Sequence, residues 1–167
     1  MAPESHSYRL EVLWTGADQD GTAAYASYRR DHLIRAPGKP DLAGSSDPAF
    51  RGAAECWNPE ELLVASLSAC HMLWYLHLAS ESGIIVRSYR DRPSGEMRID
   101  PATGGGRFVA VTLAPEIVID EDGDIARARR LHAAAHRRCF IAASVNFPVR
   151  VKSTIRQQTN PGQRMGE

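Results

Sequence analysis

The sequence predicts an α+β domain of order βββ-α-βββ-α-β, and three observations carry that reading. Residues 7–15 (SYRLEVLWT) set Tyr8, Leu10, Val12 and Trp14 against mostly polar neighbours, the alternation of a half-buried strand. Residues 62–79 hold no formally charged side chain and are bracketed by helix start and stop signals. Residues 125–138 repeat apolar positions at helical spacing behind an aspartate, Asp124, that can cap them.

In chain order, the run GADQDG at 16–21 is a turn. Residues 22–34 are expected to form a second strand, and residues 39–45 a short third after the Pro37-Gly38 break, with a loop over 46–57. The first helix then begins: Asn58 can cap it, Pro59 suits its first position, and Glu61 stands where a capping-box partner reaches back. Gly83 ends it. Twenty-odd residues make a rod of roughly 35 Å, whereas a domain of this length is about 40 Å across. A rod that is apolar all round must be covered on every side, and one small sheet covers one side. A second copy of the chain is expected to cover the rest, giving a homodimer.

Residues 84–91, 95–100 and 107–119 read as a strand meander turned at 93–95 and 103–106. The acidic turn 120–124 leads into the second helix, with Ile125, Ala128, Leu131, Ala135 and Cys139 on one face. A short helical turn over 139–146 and a strand over 148–155 close a single domain, 1–158. Residues 159–167 read as a frayed polar tail.

Composition excludes several classes of partner. Lys+Arg and Asp+Glu are both 20, so the chain lacks the basic surplus of a nucleic-acid binder. Residues 62–79 approach the length of a membrane span. They also contain Ser66, Ser68, His71 and His77, with no second apolar segment or flanking basic cluster, so a buried helix and no membrane partner are expected. Residues 1–7 show no secretory pattern, and three cysteines are too few and too odd for a disulfide framework. The expected compartment is the cytoplasm.

Taken alone, Cys70 fits a small core hydrophobe and Cys139 a buried residue at a helix junction. Cys139 also begins a helical turn, where free N–H groups favour a thiolate. Glu60 fits a carboxylate at a helix N-terminus. It precedes Cys70 by roughly 15 Å along the helix and about 80° around it, so the two cannot touch within one helix. A metal site is the competing chemistry. His71, His77, His132, His136, Cys70 and Cys139 are possible ligands, and His132 and His136 share a helix face, but neither H-E-x-x-H nor C-x-x-C is present. No metal and no cofactor are expected.

The stretch from Asn58 to Cys70 (NPEELLVASLSAC) resembles the signature of the OsmC/Ohr family, and Cys139 to Val149 (CFIAASVNFPV) is similar to its second cysteine block. The resemblance runs from about Leu10 to Ile155. It implies an intertwined dimer with the cysteine-bearing helices at its centre. It also implies a thiol peroxidase in which Cys70 attacks the peroxide, Cys139 resolves the sulfenic acid, and an external dithiol reduces the pair. Glu60 would hold an activating arginine, for which Arg29 is favoured over Arg51. The helix lining, with Met72 and Trp74, would suit an organic hydroperoxide. Three departures stand out: Phe140 follows the second cysteine where proline is common, no arginine lies within 16–21, and His71 follows Cys70 where many members carry phenylalanine.

Overall fold

The computed structural model describes residues 5–159. The tail expected over 159–167 lies, apart from Thr159, outside the described residues, as does most of the 1–7 segment. The chain divides into two compact units, the first ending at Leu62 and the second beginning at Leu63.

In the first unit, β1 (Glu11–Trp14), β2 (His32–Arg35) and β3 (Leu42–Gly44) form an antiparallel sheet in that order, with Val12 opposite Ile34 and Leu33 opposite Ala43. The second strand is much shorter than the expected 22–34. Its first half is instead a folded loop, because side chains there take the backbone groups a ladder would use. Ser27 Oγ lies 2.9 Å from the carbonyl oxygens of both Gly21 and Ala24. Arg30 donates to the carbonyls of Tyr25, at 2.7 Å, and Tyr28. Gly21 adopts a φ of +51°, which no strand residue could hold.

Helix α1 (Pro59–Glu81) starts as its local signals require. Glu61 N donates to Asn58 Oδ1 at 2.8 Å, and Asn58 N donates to Glu61 Oε2 at 3.2 Å, a reciprocal capping box. At the other end Gly83 turns left-handed, with φ +70°, and Ile84 N donates back to Ala79 O at 2.9 Å. By length and composition α1 could cross a membrane, and the fold buries one stripe of it: Leu67, His71, Tyr75, Leu78 and Ala79.

The second unit is α+β, but two expected strands are each divided. Residues 107–119 form β6 (Gly106–Leu113) and β7 (Glu116–Ile119), and residues 148–155 belong to β8 (Val149–Val151) and β9 (Thr154–Gln157). The first break falls at Pro115, which has no N–H to give a ladder. The preceding amide, of Ala114, donates to Asp91 Oδ1 at 2.7 Å. With β4 (Val86–Arg90) and β5 (Ser94–Ile99), the six strands make two sheets of order β4-β7-β9 and β5-β6-β8. The outer strands β8 and β9 run parallel to β6 and β7. The expected meander is therefore only partly realised, since β4 pairs with β7 and not with β5.

Asp124 caps α2 (Ile125–Arg138), accepting from Arg127 N at 2.9 Å. Ala128, His132 and Ala135 form its buried face. Two cores result. One gathers Tyr75, Leu78, Ile117, Ile119, Ala128, Ala135 and Ile155; the other gathers Leu67, Val111 and Leu113 under Phe108, Ile141 and Phe147.

Candidate active site

Cys139 lies between α2 and the single-turn helix α3 (Phe140–Ala143), ending the one and capping the other. Its side chain is 1% exposed, and its Sγ accepts from Ala142 N at 3.4 Å. Cys70 is half-buried on α1. Both are free thiols, and they are close neighbours. Burial pushes the Cys139 thiol up to about 11. The neighbouring Cys70 pushes the same way, while the amides of Ala142 and Ile141 oppose it. Cys139 is therefore held in its protonated form near neutral pH.

The turn of α1 before Cys70 is pinned from outside. Ser68 Oγ donates to Asp91 Oδ2 at 2.6 Å, while Asp91 Oδ1 receives Ala114 N. One carboxylate thus ties the cysteine helix to the end of β4 and to the point where β6 gives way to β7.

Behind this turn is a buried polar pair that sequence reasoning treated only as possible metal ligands. His71 Nε2 and His132 Nδ1 are 3.0 Å apart with their ring planes 5° from parallel, and Tyr75 stacks on His132 at 4.4 Å. His71 Nδ1, His132 Nε2 and the Tyr75 hydroxyl are buried with no partner among the described residues. Burial lowers both histidines to about 4; the neighbouring His136 lowers His71 further, and Asp91 partly opposes this. Among the described residues no group of three or more His, Cys, Asp or Glu side chains is placed to hold a metal ion.

Glu60 and Arg29 belong to the first unit and the thiol pair to the second. Glu60 is half-buried in the first turn of α1 and makes no hydrogen bond or ion pair among the described residues. Arg29 is 65% exposed and pairs with Asp31 at 3.3 Å. Arg51 closes a 3-10 turn at φ +66°, with its guanidinium 5.9 Å from the Tyr25 ring. Cys56 is a half-buried loop residue. The more tightly held cation is Arg30, which the sequence reading passed over. Its guanidinium lies 4.4 Å from the Tyr25 ring and 4.1 Å from the Tyr28 ring, where cation–π attraction adds to its two carbonyl bonds. The tyrosine spacing in YASYRR was the available signal.

Residues 52–154 match the family model described as OsmC-like protein. No curated protein matches the chain. Among solved structures, an OsmC-like protein of unknown function from Vibrio cholerae is 27% identical, with a TM-score of 0.80 over 90% of this chain and 100% of its own. The organic hydroperoxide resistance protein OhrB of Bacillus subtilis is 24% identical, with a TM-score of 0.58 over 89% and 98%. An organic hydroperoxide resistance protein from Elizabethkingia anophelis is 18% identical, with a TM-score of 0.63 over 93% and 100%.

Proposed function

Because the chain belongs to the OsmC-like protein family, which includes organic hydroperoxide resistance proteins, we propose that it is a thiol-dependent peroxidase acting through Cys70 and Cys139. The observation that carries this reading is the adjacency of two free thiols, one half-buried and one buried and held protonated. That asymmetry is what a two-step thiol cycle needs.

In the first step the Cys70 thiolate attacks the outer oxygen of a hydroperoxide. An S–O bond forms, the O–O bond breaks, and the departing alkoxide takes a proton to leave as the alcohol, with Cys70 as the sulfenic acid. In the second step Cys139 gives up its proton and attacks the Cys70 sulfur. The S–S bond forms, the S–O bond breaks, and hydroxide leaves as water with that proton. An external dithiol then exchanges with the disulfide, becoming oxidised as both cysteines return to thiols. Arg29 would face the thiolate and Glu60 would orient it, with one subunit serving the other. An organic hydroperoxide suits the apolar helix around Cys70, and the cytoplasm suits free thiols.

A homodimer belongs to the same reading. On α1 the side away from the buried stripe presents Ala65, Ala69 and Leu73 to solvent, with Leu73 63% exposed. In the first unit every residue of β1 is exposed, Val12, Leu13 and Trp14 included. A second copy of the chain is the occupant that would cover both.

The test is a thiol count before and after one equivalent of cumene hydroperoxide. Loss of two of the three thiols per chain supports a two-cysteine cycle; no loss overturns it.

A further inference from the structure

One face of α2 is not used by this chemistry. Arg129, His132, Ala133 and His136 follow one another at helical spacing and line a cleft of about 640 Å³. Its far wall is Val149, Val151, Lys152 and Ser153, from β8 and the link to β9. The volume falls within the range of small-molecule sites. No acidic residue lines it, and neither Arg129 nor Lys152 is paired with a carboxylate among the described residues.

The floor of the cleft is the second observation. His132 is 6% exposed, and its Nδ1 is taken up by His71. That leaves its Nε2 without a partner, and the neighbouring His136 Nδ1 is likewise unpartnered. A buried polar nitrogen left unpaired is unfavourable. Both nitrogens are shut off from solvent, so an acceptor in the cleft meets the exposed, unpaired Arg129 and Lys152 first and reaches the nitrogens as the His132 and His136 rings move. The remaining lining, Ala133, Val149 and Val151, is apolar and offers surface to a short hydrocarbon body.

We propose that this cleft binds a small carboxylate with a short apolar chain, its oxygens held by Arg129 and Lys152 over the His132–His136 floor and its chain laid on Val149 and Val151. Arg129 supplies the planar fork that fits a carboxylate with two parallel bonds. His132 adjusts to an acceptor without taking a charge. When His71 Nε2–H donates to His132 Nδ1, the opposite nitrogen of His132 becomes an N–H donor. The site is separate from the thiol cycle, so a protein without that activity would still bind.

The probes are hexanoate, hexanol and inorganic phosphate, titrated into the full-length protein as it assembles in solution. Hexanoate should bind by calorimetry and move the ring-nitrogen resonances of His132 and His136, and hexanol and phosphate should bind at least about tenfold more weakly, since each keeps only half of the complementarity. Arg129→Gln should weaken hexanoate by about tenfold, the loss of a charge-assisted bond, and Cys70→Ser should leave it unchanged. Phosphate binding as tightly as hexanoate overturns the apolar half of the proposal. Absence of hexanoate binding, as when a second subunit fills the cleft, overturns it altogether, and so does binding that Arg129→Gln does not affect while the ring nitrogens stay still.

Discussion

His71 and His132 face each other at 3.0 Å across the two main helices, a buried imidazole pair in which each ring has one bonded nitrogen and one with no partner. Both rings are held neutral down to about pH 4, against 6.5 when exposed. The unfolded chain therefore binds protons at these rings over a range in which the folded chain does not. Their contribution is complete above pH 6.5 and is lost as pH falls from 6.5 towards 4.

Stability measured by denaturant titration is accordingly expected to fall steeply across that window, by on the order of 3 kcal/mol per ring. The double substitution His71→Phe with His132→Leu should flatten the slope. An unchanged slope in the double variant would trace the acid sensitivity to other groups. Either single substitution leaves one imidazole stranded and should destabilise at all pH values, by about 1–3 kcal/mol.

The thiol pair predicts an intramolecular Cys70–Cys139 disulfide under hydroperoxide, with Cys56 left free. Cys70→Ser should abolish turnover. Cys139→Ser should allow one oxidation and then accumulate a sulfenic acid open to further oxidation, and Cys56→Ser should change neither step. Peptide mapping of the oxidised protein checks this; a bridge containing Cys56 as the main product would falsify the assignment.

A cation beside the reacting thiolate is the purpose proposed for Arg29. Arg29→Ala is expected to slow Cys70 oxidation more than Arg51→Ala does, read by stopped-flow fluorescence or competition kinetics. The reverse order would transfer the role to Arg51, and no change in either would mean that neither arginine serves the thiol.

The uncovered face of α1 and the fully exposed β1 predict a dimer without a stable folded monomer. Sedimentation at micromolar concentration should show only the dimer. Leu73→Glu on the exposed side of α1 should cause dissociation together with unfolding, and a folded monomer of either protein would contradict the proposal.

How much of this was legible in the sequence depended on distance along the chain. Helix ends were legible because their determinants are local: Asn58 with Glu61, Gly83, and Asp124 each act within a few residues. The break at Pro115 was signalled by a residue without an N–H, yet it sat inside an unbroken apolar run, and alternation alone reads straight through it. Pairing of β4 with β7, and the choice of sheet for β8 and β9, rest on tertiary packing that periodicity does not encode. Cys70 and Cys139 were singled out by motif resemblance, and their adjacency is a matter of how two helices meet. The partnership of His71 with His132 had no local signal, since each by itself looked like a possible ligand or an ordinary core residue. Arg30 was missed because the tyrosines that hold it lay in a segment read as strand.

The two closing strands share one ruler. Val111 stands opposite Val149 and Ile117 opposite Ile155 at the same separation in sequence, so β8 beside β6 and β9 beside β7 are offset alike although they belong to different sheets. Lys152 and Ser153 are the only residues between them, with Lys152 N donating to Leu113 O and Thr154 N to Pro115 O, both at 2.8 Å. This two-residue link consequently acts as a gauge. Lengthening the loop before β8 moves both strands together, and they can slide back into place as a unit. One residue added at the link keeps β8 in register and displaces β9 alone, turning the buried Ile155 towards water and an arginine or threonine towards the core. Insertions a few positions apart are thus expected to differ sharply in tolerance, the harmful one lying on an exposed connection that conventional loop engineering would have chosen first.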